Sequence, residues 1–305
     1  MITIEQIGKK IQKLQGRNDW YAVLCDVFEI SAITISNQFD IREPLWTNRE
    51  NRYKDLIKKY NENEVKLITE IFTDLYQLLR GMATGEREFD DYLGKLYMYS
   101  GTQNKSSGQF FTPYCVSKLM GELSINKEEV KRKFEEEPDR IFTLHEPTCG
   151  SGGLILAGVE ALQKAGVNYA NNLLVVCGDL DKRCVHMTYL QLALAGVPAI
   201  ILHQDALTMK TWDVWHTPAY CINYLRLSKA FKKVEPTLNK TCKQLDEEEK
   251  ARKETTPVVE EPQNTTPIVE VEEQPQPIPQ KETKTLVEEP KPSKMEQLSL
   301  FDFEF

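Results

Sequence analysis

The stretch His145–Gly153, HEPTCGSGG, constrains this chain more than any other. It follows a short apolar run, Ile141–Leu144, and precedes an apolar helical pattern over 154–163. A strand, a glycine-rich turn and a helix in that order form a nucleotide cradle. Glycine lets a ligand come close to the backbone, and the helix N-terminus offers free N–H groups. The dinucleotide fingerprint GxGxxG is not met, because Ile155 stands where its third glycine belongs. Taken alone, the turn is equally compatible with a tight bend, so the flanking segments decide.

Thirty residues on, LLVVCGDLD places Asp179 at the end of the next apolar run, where a carboxylate can accept both ribose hydroxyls of an adenosine moiety. A third run, AIILHQDAL, ends in Asp205, placed to receive an exocyclic amine of a bound adenine. Either aspartate alone reads as a helix cap or a turn residue. Three successive strand ends carrying a glycine turn, an acid and an acid read as a site. Short apolar runs alternating with helical stretches over 101–222 imply an α/β fold, with a mostly parallel sheet wound with helices.

Residues 1–100 have a different texture. Val65, Leu67, Ile68, Ile71, Phe72, Leu75, Leu78 and Leu79 recur at three and four, which predicts an N-terminal helical region. Trp20, Tyr21, Trp46 and Tyr53 are expected to pack between its helices. A last amphipathic helix is expected from Tyr224 to about Val234. Beyond it Pro, Glu, Thr, Lys and Gln dominate, and such a segment buries too little surface to offset the entropy of ordering it. The expected organisation is a helical region over 1–100, an α/β domain over 101–235, a disordered linker over 236–294 and a C-terminal peptide over 295–305.

The net charge of −8 belongs to that tail. Residues 245–305 hold 16 acids and 7 bases, so the remainder carries 30 acids and 31 bases. A nearly neutral body is compatible with nucleic acid only through a local basic face. The seven cysteines show no CxxC pair and no histidine at zinc spacing, so they are read as reduced and mostly packed in the core, with no metal site. The N-terminus lacks the apolar run of a signal peptide and no stretch of eighteen apolar residues occurs, which points away from a membrane and to a cytoplasmic protein.

GQFFTP (Gly108–Pro113), EPTCGSGG (Glu146–Gly153), CGDLD and HQDAL stand in the order used by adenine-N6 DNA methyltransferases, and this set resembles the type I restriction-modification M subunit. DYLGKLYMYSGTQNKSSGQFFTP is similar to that family's junction between helical domain and catalytic core. The resemblance implies a Rossmann-like S-adenosylmethionine-dependent methyltransferase core. It implies cofactor contacts from Gln109, Phe111, Thr112, Pro113, Glu146, Gly150, Gly152, Asp179 and Asp205. DNA is the implied substrate, with a specificity subunit or another copy of the chain as partner, since no target-recognition domain is visible.

The family's catalytic NPPY or NPPF has TPAY as its counterpart here, Thr217–Tyr220. In the family, the Asn side chain and a proline carbonyl accept hydrogen bonds from the target amine, and the aromatic stacks on the flipped base. Thr217, Pro218 and Tyr220 are the corresponding candidates, with one acceptor lost. The chain also offers no further strands after the fourth, so the sheet is expected to be incomplete. Gln297, Leu298, Leu300 and Phe301, within QLSLF, resemble the pentapeptide that binds the bacterial sliding clamp, the anchors-and-pockets mode of peptide recognition. Three readings follow: a DNA methyltransferase, a cofactor-binding adaptor recruited to the clamp, and a methyltransferase acting on protein or RNA.

Overall fold

The computed structural model describes residues 2–14, 19–99 and 111–228. Gln109, Gln297, Leu298, Leu300 and Phe301 lie outside them, as do the linker, the C-terminal peptide and Cys242.

Five helices come first: α1 (Ile4–Lys13), α2 (Trp20–Phe39), α3 (Leu45–Ile57), α4 (Glu62–Thr84) and α5 (Tyr92–Tyr99). Their ends follow local chemistry. Thr3 with Gln6 and Asn61 with Glu64 close capping boxes at α1 and α4, satisfying N–H groups that a helix start leaves open. Gly85, with φ of 73°, ends α4 in the left-handed conformation. The apolar periodicity of α4 is realised as burial of Ile68, Ile71, Leu75, Leu78 and Leu79.

Two connecting helices, α6 (Tyr114–Ser124) and α7 (Lys127–Glu136), lead into the α/β part. There β1 (Phe142–Glu146), α8 (Gly153–Lys164), α9 (Tyr169–Asn172), β2 (Leu173–Asp179), α10 (Lys182–Leu194), β3 (Ala199–Gln204), β4 (Thr211–His216) and α11 (Pro218–Ile222) follow. The expected strands and the helix after the glycine turn sit where their apolar runs placed them. Of the helix expected from Tyr224, residues 224–228 are helical and the rest lies outside the described residues.

The sheet has the order β1-β2-β3-β4, with the first three strands parallel. β4 runs antiparallel to β3, making the sheet small and mixed. Parallel strands need crossover helices, and α8 and α10 supply them. β2 is buried along nearly its whole length, which explains its unbroken apolar run. Buried side chains of α1, α2, α4 and α5 share one continuous core with those of α8, α10 and the sheet. Leu174, Val176, Ile200, Tyr220 and Leu227 form a second cluster. Cys149, Cys177 and Cys184 are buried, Cys25 and Cys221 half-buried and Cys115 exposed. No helix among the described residues is long and apolar enough to cross a membrane.

Arg49 ties the helical region to the sheet edge. Its guanidinium lies 4.0 Å from the Trp215 ring centroid. It donates to the Val214 carbonyl at 2.8 Å, to Asp213 at 3.1 Å and to Ser36 at 2.9 Å. Nearby, Glu29 accepts from Arg52 and Lys182. Burial opposes its charge, but these cations outweigh that and hold the carboxyl at about 2. Burial lowers His186 to about 3, and burial together with Arg42 lowers His216 to about 4.

Both histidines fold neutral while the unfolded chain titrates near 6.5, so between those values the unfolded state binds more protons. The stability these two histidines contribute is therefore complete above about pH 6.5 and is lost as pH falls toward 4, with the Glu29 contribution lost below about 4.5. Urea midpoints should be lower at pH 5 than at pH 7.5, and His216→Phe should narrow that difference.

Candidate functional site

The glycine turn joins the end of β1 to α8. Gly150 (φ 56°) and Gly152 (φ 94°) hold left-handed backbone, where a side chain is strained. A Cβ at Gly150 would lie 3.3 Å from the Phe111 ring, and one at Gly152 3.1 Å from the Thr188 hydroxyl. The turn is pinned from several directions. Cys149 N–H donates to the Gly178 carbonyl at 2.8 Å, and Thr188 Oγ1 donates to the Gly150 carbonyl at 2.9 Å. Glu146, buried at the end of β1, accepts from the Thr148 N–H and hydroxyl at 3.0 and 3.1 Å.

Asp179 closes the site from β2. Its Oδ2 accepts the Gly150 N–H at 2.9 Å and its Oδ1 the Asp181 N–H at 2.8 Å. Burial raises its carboxyl above the usual range, and the two N–H donors act against that shift. Each oxygen keeps a lone pair free for a further donor. Asp205 follows the end of β3, where its Oδ1 accepts from Leu207 and Thr208 N–H groups. Those bonds, the Leu207 one first, lower its pKa. Registers pair Glu146 with Cys177 and Asp179 with His203, so Glu146, Asp179 and Asp205 step outward across the carboxyl ends of three adjacent strands. That edge is where open parallel sheets bind ligands.

Phe111 is brought to this turn. It packs edge-on against Tyr97 at 5.1 Å, and the Tyr97 hydroxyl is hydrogen-bonded to that of Tyr21 at 2.5 Å. Thr112 is exposed, and Pro113 caps α6.

Asp91 is a residue that pattern reading missed. It is 4 % exposed at the start of α5, and its Oδ2 accepts the Ser151 hydroxyl at 2.5 Å. Its Oδ1 accepts from Gln191 Nε2 at 2.8 Å and Gly94 N–H at 2.9 Å. Gln191 Nε2 also donates to the Ser151 carbonyl at 2.6 Å, and its Oε1 accepts from Leu93. Burial raises the Asp91 carboxyl, with the Ser151 and Gln191 donors working against it. Gly94 is required here, since a Cβ would fall 2.1 Å from an Asp91 oxygen. The only sequence signal was an acid directly before an apolar helix, which reads equally as a cap.

Thr217, Pro218 and Tyr220 are not brought to the glycine turn. Because β4 is antiparallel, it returns the chain to the start of β3, where Thr217 N–H bonds the Ala199 carbonyl. Asp179 pairs with His203, four residues along β3, so about 13 Å of strand separates the two levels. Thr217 is fully buried. Its hydroxyl donates to the Val197 carbonyl at 2.8 Å and accepts the Ala199 N–H at 2.8 Å. Pro218 opens α11, and the Tyr220 ring packs at 3 % exposure in the second core cluster.

The family model for N-6 DNA methylase matches residues 89–256, more than half of the chain. The chain belongs to the N-6 DNA methylase family. It is 25% identical over 226 residues to a type I restriction enzyme MpnII methylase subunit from Mycoplasma pneumoniae, covering 68% of this chain and 38% of that protein. It is also 25% identical over 138 residues to the MjaIX methylase subunit from Methanocaldococcus jannaschii, covering 42% of this chain and 22% of that protein. This member of the N-6 DNA methylase family thus spans well under half the length of these relatives. A crystal structure of a type I restriction-modification methyltransferase subunit from Streptococcus thermophilus aligns with a TM-score of 0.32 at 15% identity, over 67% of this chain and 59% of that one. Among the described residues no cluster of His, Cys, Asp and Glu is placed to hold a metal ion.

Thr217→Val removes a satisfied buried hydroxyl while its two backbone partners stay behind. It should lower unfolding free energy by roughly 1–3 kcal/mol. Ser151→Ala removes one of the three donors to buried Asp91 and should cost a similar amount. Chemical denaturation of each variant checks both.

Proposed function

We propose that the chain binds S-adenosylmethionine at the glycine turn of a Rossmann-like core and serves in methylation of adenine N6 in DNA. The observation that carries this is the convergence of Gly150, Gly152, Asp179 and Asp205 at adjoining strand ends, in a chain of the N-6 DNA methylase family. The cradle fits the cofactor. Two left-handed glycines leave the turn without side chains, and Asp179 is anchored by backbone yet keeps acceptor capacity on both oxygens.

Glu146, Gly150, Gly152 and Phe111 would hold the methionine end, with Gln109, Thr112 and Pro113 completing that wall. Asp179 would accept the ribose hydroxyls, and Asp205, through Oδ2, the exocyclic amine of the adenine. When bound, this cofactor supplies an electrophilic methyl group on a sulfonium. The protein's part is to orient that group and exclude water, using positions fixed before binding. Acceptors for the target amine would come from a specificity subunit, a second copy or residues outside those described. Recruitment to replicating DNA would run through Gln297, Leu298, Leu300 and Phe301 binding a sliding clamp.

One observation favours a second reading, a cofactor-binding adaptor without transfer: the Thr217 hydroxyl is saturated by backbone at the far end of the sheet. Two measurements separate the readings. Calorimetry with S-adenosylhomocysteine should show binding that Asp179→Ala weakens at least 10-fold. Mass spectrometry of DNA from a methylation-deficient bacterial host expressing the chain should show N6-methyladenine that disappears with Asp179→Ala. Binding without N6-methyladenine, also when a specificity subunit is co-expressed, selects the adaptor. Folded protein that binds no S-adenosylhomocysteine overturns both.

A further inference from the structure

We propose that the irregular start of β4 builds a stacking platform for an adenine ring at the ligand end of the sheet, with Trp212 as its face. The proposal rests on the cofactor-site reading above. The register pairs His203 with Asp213 but Gln204 with Thr211, leaving Trp212 as an extra residue opposite the break. Regular alternation along β4 would put Trp212 on the same face as Val214, which packs against the second core cluster. The bulge instead turns its ring onto the His203 side, with ring centroids 4.9 Å apart. Bulges recur beside active sites, where they re-aim a side chain.

Trp212 is 46 % exposed, whereas Trp20 and Trp215 are 3 % and 1 % exposed. Leaving a large indole half in water forfeits burial that Trp20 and Trp215 realise, and it keeps a flat apolar face open to a ligand. Its surroundings name one. His203, beneath it, is the register partner of Asp179, and His203 Nε2 lies 3.2 Å from the carbonyl of Leu180, the residue after Asp179. Leu180 itself is 63 % exposed and adds apolar surface beside the ribose acceptor. Lys210 Nζ stands 5.6 Å from the indole centroid, and Lys210 O accepts the Asp205 N–H at 3.0 Å. An indole face, a cation and an acid with one oxygen open form the recognition set for a flat base carrying an exocyclic amine.

That ring belongs to adenine, either in the cofactor or swung out of DNA. The two sources share the stacking chemistry and separate by experiment. In the full chain, acrylamide should quench Trp212 preferentially, and Trp212→Leu should remove that accessible component. S-adenosylhomocysteine is one probe. A single-stranded oligonucleotide with 2-aminopurine in place of adenine is the other. At least one should protect Trp212 from acrylamide and lose on the order of 10-fold or more in affinity with Trp212→Leu. Trp212→Phe should restore most of the affinity, and the thermal midpoint should hold in both variants. Loss confined to S-adenosylhomocysteine assigns the cofactor's ring; loss confined to the oligonucleotide assigns the DNA base. If both affinities survive Trp212→Leu while Asp179→Ala abolishes S-adenosylhomocysteine binding, the platform is wrong and the cofactor site stands. If the unaltered chain binds neither probe, both proposals fall.

Discussion

The candidate site depends on a buried carboxylate. Asp91 joins the start of α5, the glycine turn and α10 through bonds to Gly94, Ser151 and Gln191. Burying a carboxyl costs several kcal/mol unless each lone pair finds a donor. That cost can be met in only one arrangement of the three segments, so satisfying Asp91 also fixes the turn. The two glycines beside it follow from the same requirement: Gly94 and Gly153 leave the room that the carboxyl occupies. The helical region is therefore part of the site's construction.

A second line of support runs through aromatic rings. The Arg183 guanidinium lies over Tyr21, Tyr21 shares a hydrogen bond with Tyr97, and Tyr97 packs on Phe111 beside Gly150. Arg183 is itself held by Asp181, two residues after Asp179. Phe111 and Asp181, from two distant parts of the chain, are thus linked by contacts passing through the N-terminal helices. Tyr21, expected only to fill space between helices, lies on that path.

The direction of β4 separates two ends of the sheet that a linear pattern places together. An antiparallel return carries its first residues to the carboxyl ends of the parallel strands and its last ones to the opposite end. Trp212 therefore sits near Asp205, while Thr217, Pro218 and Tyr220 become capping and packing residues near Ala199. The order of motifs along a chain places side chains in space only when the strand directions are also known.

Much of the candidate site's geometry was legible in the residues. Periods of 3.6 and short apolar runs identified α4, β1, β2 and β3, because burial of one face or of both faces leaves a local record. Glycines at 150 and 152 and acids at 179 and 205 were readable because positive φ and strand-end acceptors restrict residue choice locally. The sequence by itself determined the helical and α/β segments, the glycine turn and the family. Tertiary structure alone decided the burial of Asp91, the direction of β4 and the bulge that turns Trp212. Each of these follows from contacts between residues far apart in the chain, such as Asp91 with Gln191 and Arg49 with Trp215, and side-chain periodicity carries no information about such pairs.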